Sequence, residues 1–317
     1  MALTYTQITA ITEKKFIPKL VDNVYKSNPI FARFTRPDKL LKVNGGERIV
    51  QPIISSKPST SNKGYFSDLD TLNTDRTDNI TAAEYFWKQN QEPIRVSRLE
   101  MLKNNGDAAK LKLVMSKTMI AEKNIKENLG YGSFSDGTEF SSKIITGFAA
   151  MISESSTYGG IAVADLADWV AQVEDNSGTA RPVTLALLQR VFGLCTQESD
   201  KPSMLTCKQA IFDQIWSLYQ PTQRLVSAEM SKLGFDNVLE FNGQPIIVDS
   251  HNAAGEVLFL NEDYVQLAVH PEENLRSETI ERMETSASML ARIFWAGNIV
   301  CSNRRFQGKL SDLSYAA

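Results

Sequence analysis

The longest regular pattern of apolar and polar positions runs from Ser97 to Gly130. Ser97-Arg98-Leu99-Glu100 fits a capping box, in which a hydroxyl and a carboxylate three residues on each satisfy an orphan N–H. Asn104-Asn105-Gly106 interrupts this first short helix, and Asp107 can cap a second one. From there Leu111, Met115, Thr118, Glu122, Ile125 and Leu129 recur at steps of three and four, an amphipathic stripe with two polar members. Lys110, Lys112, Lys117, Lys123, Lys126 and Glu127 occupy the other faces, and Gly130 sits where a terminating glycine is wanted. The spacing predicts a helix over 107–130, roughly 34 Å long. With one thin apolar side it reads as a strut lying on a sheet.

Before the strut, residues 1–43 alternate without a sustained core pattern. Phe16, Leu20, Val24 and Tyr25 suit a short helix stopped by Asn28-Pro29, and Ile30, Phe31 and Phe34 follow as apolar anchors. An arm of this kind is expected to lay its aromatic residues on another surface. Asn44-Gly45-Gly46 is a turn signal. Two β-like runs come next, Glu47–Ile54 and Asn79–Trp87, separated by a polar stretch whose apolar residues are Tyr65, Phe66, Leu69 and Leu72. A lone two-stranded ribbon is marginal in water, and a long loop without a core is unusual in a compact domain. The pattern therefore predicts that 47–90 is either poorly ordered or a projecting hairpin stabilised by another molecule, and on the second reading those four residues are its contact points.

After the strut, Tyr131–Thr146 is a Gly/Ser-rich connector and 151–255 reads as a compact α/β module. Leu185, Leu188, Phe192 and Cys195 share one helical face, Met204–Cys207 is a short strand, and Ile211, Phe212, Ile215, Leu218 and Tyr219 mark a second helix. Asn242-Gly243 predicts a hairpin turn between Val238–Phe241 and Ile246–Val248. The tail supplies strands Val257–Leu260, Val265–Val269, Met289–Phe294 and Ile299–Cys301, with Gly297-Asn298 turning between the last two. The strut is the natural cover for these strands. One domain would then form from 97–150 and 256–317, with 151–255 inserted between its halves.

Composition narrows the class. At 317 residues and 42% apolar content the chain is globular, with room for two domains. A net charge of −3 gives no overall cationic field, yet residues 1–50 carry nine Lys and Arg against four acids, a local +5. That excess suits contact with an anionic surface such as packaged nucleic acid, or a solvated arm. Three widely spaced cysteines, Cys195, Cys207 and Cys301, make neither a disulfide framework nor a zinc knuckle and read as buried thiols. Neither a signal peptide nor an apolar run long enough to span a membrane is present.

Asp249-Ser250-His251 offers triad chemistry, but neighbouring residues point apart while working triads converge from separate segments. Neither a G-x-S-x-G elbow nor a phosphate-binding loop occurs. Asp68-Leu69-Asp70 and Asp75 lack the glycine and closing glutamate of a calcium loop. Arg304-Arg305 reads as a solvated pair. No catalytic, metal or cofactor-binding residue is assigned. Two rival functions remain: a hydrolase using His251, and a DNA-binding protein using the basic N-terminal segment.

The order of parts resembles the major capsid protein family of tailed bacteriophages, with its Hong-Kong-ninety-seven-like fold of the α+β class. The resemblance rests on Val43-Asn44-Gly45-Gly46-Glu47-Arg48-Ile49, Arg98–Asp107, Tyr158-Gly159-Gly160-Ile161, Phe241-Asn242-Gly243-Gln244-Pro245, and Ile293–Val300 followed by Ser302-Asn303-Arg304-Arg305. It implies an N-terminal arm over 1–43, an extended hairpin over 44–96, a peripheral domain of 97–150 and 256–317 around a spine helix at 107–130, and an axial domain at 151–255. In the hairpin, Tyr65, Phe66, Leu69 and Leu72 would meet a neighbouring subunit. In the arm, Phe16, Phe31, Phe34, Lys14 and Lys15 would meet a neighbour or the particle interior. The implied partners are copies of itself in pentamers and hexamers, packaged double-stranded DNA bound non-specifically, a portal, a separate scaffolding protein and room for a decoration protein. The implied location is the virion, reached from the host cytoplasm, with no membrane and no cofactor involved.

Overall fold

The computed structural model describes residues 28–55, 65–71, 79–104, 107–219, 239–278, 281–282 and 287–314. Helix α1 spans Pro29–Phe34, with proline at its first turn where a missing N–H costs nothing. Strands β1 (Leu40–Lys42), β2 (Arg48–Ile54), β3 (Ile80–Phe86) and β4 (Lys88–Ser97) follow. Then come α2 (Arg98–Lys103), α3 (Asp107–Ser133) and α4 (Phe148–Met151). The next part holds β5 (Gln172–Glu174), α5 (Leu185–Leu194), β6 (Met204–Cys207), α6 (Gln209–Tyr219), β7 (Glu240–Phe241) and β8 (Gln244–Val248). The chain closes with β9 (Val257–Leu260), β10 (Val265–Ser277), β11 (Glu281–Arg282), β12 (Ser288–Cys301) and β13 (Gly308–Leu310).

The strands of the described residues form three sheets. In the first, β10 and β12 pair antiparallel over most of their length, β1 adds parallel to β10, β11 pairs with the start of β12, and β4 lines the other side of β12. The second has six strands in the order β5-β13-β9-β6-β8-β7. The third is the two-stranded ribbon β2-β3.

The six-stranded sheet is a wall between two cores. Strands β6 and β9 are buried on both faces and alternate: Met204, Leu258 and Leu260 join the larger core, whereas Leu205, Cys207, Val257 and Phe259 join the smaller one under α5 and α6. The larger core also takes in α1, the inner face of α3, and the first sheet.

The strut is a helix lying on β4 and β12, as its pattern predicts. The expected stripe holds at Ile125 and Leu129 and is out of phase before them. Leu113, Ala121, Ile125 and Leu129 are buried, while Met115 is 60% exposed. The inner face keeps step four throughout, and Lys117 occupies one of its positions by sending its ammonium to Glu100 and the Arg95 carbonyl. Gly130 does not end the helix, which continues to Ser133. It is small because the Asn28 side chain crosses there, and an added Cβ would strike it.

Three further expectations are corrected. Gly297-Asn298 is not a turn, because β12 runs unbroken through it. Gly297 lets Ala268 and the Trp295 ring close in, and the Asn298 side chain bridges Phe86 O and Thr146 N. The tail strands do not all lie beneath the strut: β9 and β13 belong to the six-stranded sheet, and only β10 to β12 build the first. Strand β4, inside the span expected to project as a hairpin, is instead the first sheet's partner to β12.

Candidate assembly surface

Among the described residues the ribbon is fastened along one face, from Ile49 and Tyr85 at its base through Ala83 to Ile53. Register pairs Arg48 with Phe86 and Ile54 with Ile80. Ile49, Ala83 and Tyr85 are buried against the body. The Glu84 N–H donates to Gly159 O at 2.8 Å, and the Tyr85 hydroxyl donates to Cys301 O at 2.7 Å. Gly159 has φ +61°, and a Cβ on it would lie 2.8 Å from that of Ala83, so only glycine admits this approach. At the far end of the paired strands Ile54 is 79% exposed and Ile80 77%, while Ile53 beside them still packs against the core.

The loop carried by the ribbon is more open still. Tyr65 is 99% exposed, Phe66 67% and Leu69 97%. Ser67 and Asp70 close a small turn between them, with Asp70 N–H to Ser67 O at 3.0 Å and Ser67 N–H to Asp70 Oδ2 at 2.7 Å. An isolated copy gives these side chains no shelter, and clustered exposed apolar groups mark contact sites. Leu72, Phe16, Lys14 and Lys15 lie outside the described residues.

Phe31 and Phe34 occupy a different place from the one the arm reading gives them. They are buried in this subunit's own core, with Phe34 5.6 Å from the Phe148 ring. Helix α1 is held there by polar ties that the sequence pattern could not reveal. Arg33 grips Glu262 with two hydrogen bonds, one of 2.8 Å, and Ile30 N–H donates to Asp249 Oδ2 at 3.4 Å.

Sequence reasoning missed the brace beneath the ribbon. Arg304 is fully buried and donates to Met151 O and Ser153 O at 2.8 Å and to Ser156 O at 3.1 Å. Its guanidinium also stands 5.3 Å from the Tyr158 ring centre. It fastens the Tyr158-Gly159-Gly160 turn on which the ribbon sits, and is therefore no solvated cation. Burial pushes the Tyr85 and Tyr158 phenols above their ordinary range. Burial likewise pushes the thiols of Cys195, Cys207 and Cys301 up to about 12, so these free cysteines are protonated near neutrality.

The triad geometry is absent at Asp249-Ser250-His251. Asp249 Oδ1 accepts the main-chain N–H of His251 at 2.9 Å rather than the imidazole. The ring Nε2 faces Asn28 Oδ1 at 2.8 Å and Glu127 Oε1 at 3.4 Å. This cluster ties the start of α1 to α3 and to the end of β8. Burial raises the Asp249 carboxyl above the usual carboxylate range. Among the described residues no group of His, Cys, Asp and Glu could hold a metal, and no helix is long and apolar enough to cross a membrane.

No protein-family model matches the chain, and no curated protein matches its sequence. Solved structures do match its fold. The capsid asymmetric unit of cyanophage A-1(L) is 14% identical with TM-score 0.70, covering 95% of this chain and 97% of that one. The capsid of the native GTA particle is 12% identical with TM-score 0.66, covering 93% of each. The holo-SrpI encapsulin complex of Synechococcus elongatus is 10% identical with TM-score 0.60, covering 100% of this chain and 98% of that one. The chain therefore has the Hong-Kong-ninety-seven-like capsid fold of the α+β class.

Proposed function

We propose that this chain is the major capsid protein of a tailed bacteriophage, a structural subunit rather than an enzyme, many copies of which close into an icosahedral shell around double-stranded DNA. One observation carries the reading: on a body with the capsid fold, the loop beyond the β2-β3 ribbon holds Tyr65, Phe66 and Leu69 out in solvent. Copies of the same chain are the partner that shelters them in a repeating shell, through head-to-tail contacts that close by rotation into pentamers and hexamers.

On this reading residues 1–43 are the arm and 44–96 the hairpin segment, whose last strand β4 returns to the body. Residues 97–150 and 256–317 form the peripheral domain on the α3 spine. Residues 151–255 form the axial domain, into whose sheet β9 and β13 are threaded. A portal, a separate scaffolding protein, packaged DNA and a decoration protein are the further partners this role brings, in the virion and, during assembly, the host cytoplasm.

Electron microscopy of the purified full chain tests the proposal. Closed, uniform particles are expected, and only small soluble species at high concentration would overturn it. Particles recovered from phage-infected cells should protect long double-stranded DNA from nuclease. Closed shells that protect no DNA would overturn the DNA-packaging part of the proposal.

A further inference from the structure

Among the described residues no strand pairs with the outer edge of β4 in the first sheet. The Arg98 N–H bonds to Ala287 O, and in the register that joins Ser97 to Ser288 this fixes which residues bond to β12. Alternate residues, Gln89, Gln91, Pro93 and Arg95, turn their main-chain groups outward. Pro93 has no N–H to leave unpaired, and Lys117 takes the Arg95 carbonyl at 2.9 Å. At Gln89 and Gln91 the edge instead faces a groove.

The groove lies between β4 and the segment at 140–145. Its inner part is a cavity of about 270 Å³ reaching Tyr131, Phe140, Ile144 and Trp295, and it opens along Lys88–Gln91 into a wider trough. The outer wall is held in an unusual conformation. Phe140, Ser141 and Ser142 all have positive φ, between 50° and 61°, which side chains other than glycine rarely adopt in succession. This turn leaves the Phe140 ring 72% exposed, and the Lys88 ammonium is tied to Ser142 O. Lys143 is exposed beside it.

We propose that this groove receives residues 65–71 of a second copy of the chain, with Tyr65 and Phe66 laid against Tyr131 and Phe140 and Asp68 set opposite Lys143. The inference rests on the assembly reading above and names the receiving surface. Three features of the occupant match the groove. Its apolar groups are fully presented, its acids Asp68 and Asp70 complement Lys88 and Lys143, and Tyr65-Phe66-Ser67 is long enough to lie along Gln89 to Gln91, a span of about 7 Å. Main-chain bonding to an open sheet edge supplies affinity, and the pockets beside it supply selectivity.

A charge-reversal cycle in the full chain, read by particle yield in electron microscopy, tests it. Asp68→Lys and Lys143→Asp should each lower yield several-fold, and the double variant should recover it. Thermal unfolding of the unassembled variants should match wild type, because both positions are exposed. A second readout is Phe66→Cys with Phe140→Cys, where oxidised particles should give a ladder of linked subunits on a denaturing gel; the natural cysteines are all buried and do not compete. Particles that form with neither rescue nor ladder overturn the groove assignment alone. Failure of the wild-type chain to form any particle overturns the assembly reading and the groove with it.

Discussion

Arg304 holds the turn under the ribbon by donating to several main-chain carbonyls at once. A planar guanidinium with several fixed donors can do this, whereas a lysine ammonium is a single point of charge. Arg304→Lys should leave buried carbonyls unsatisfied and cost on the order of 2–3 kcal/mol. Urea unfolding of the unassembled subunit would measure this, and an unchanged midpoint would show that the brace is redundant. The capping box at Ser97 is a second residue-level device, with Ser97 N–H donating to Glu100 Oε2 at 3.0 Å and Leu99 N–H to Ser97 Oγ at 3.2 Å. Burial alone would raise the Glu100 carboxyl, but the Lys117 and Ser97 hydrogen bonds and the Lys117 charge together hold it below its usual range. A depressed carboxylate contributes stability above its unfolded pKa and loses it as pH falls through the folded one. Glu100→Gln should therefore cost about 1 kcal/mol near neutrality. The gap to wild type should close below about pH 4. Melting curves across pH would reveal a constant gap if the charge played no part.

Among the elements, β12 is the one the first sheet is built on. It accepts β10 and β11 on one side and β4 on the other. Gly297 sits at its centre, and an added Cβ there would meet the Ala268 carbonyl oxygen and the Trp295 ring. Backbone cannot yield as a flexible side chain can. Gly297→Ala should destabilise the subunit by about 1–3 kcal/mol through overpacking. Circular dichroism with thermal melting tests this, and a wild-type melting point would mean that the sheet has room to spread. The spine helix shows how an element's periodicity can be right while its phase is right in one half, at Ile125 and Leu129, and shifted in the other. Burial follows Leu113, Ala121, Ile125 and Leu129 because the lysine at 117 can reach past the core edge to Glu100.

For the molecule as a whole, the body has two cores, the ribbon lends residues to one of them, and the described loop residues 65–71 belong to neither. Replacing Tyr65, Phe66 and Leu69 together by Ser removes no buried contact within one copy. The unassembled triple variant should melt within about 0.5 kcal/mol of wild type. Shells should fail to form or come apart at lower temperature, since assembly stabilises by mass action whatever folded state it binds. Paired calorimetry and electron microscopy separate the two effects. Intact, equally stable shells would remove the ribbon tip from the assembly surface.

The sequence alone determined the elements whose information is local. The capping box, the Asn242-Gly243 turn with positive φ at both residues, the strand Met204–Cys207 and the existence of the long helix are written in adjacent side chains and their backbone preferences. The ribbon too was legible, because its exposed tip residues sit in a stretch with no core of its own. Only the tertiary structure decided how the tail strands divide between two sheets, why Gly130 and Gly297 are small, where Phe31 and Phe34 are buried, and that Arg304 is a brace. Each of these depends on a partner far away in the chain, such as Asn28 for Gly130, Ala268 for Gly297 and Met151 for Arg304. Periodicity reports which side of an element is apolar, and only packing reports what that side meets.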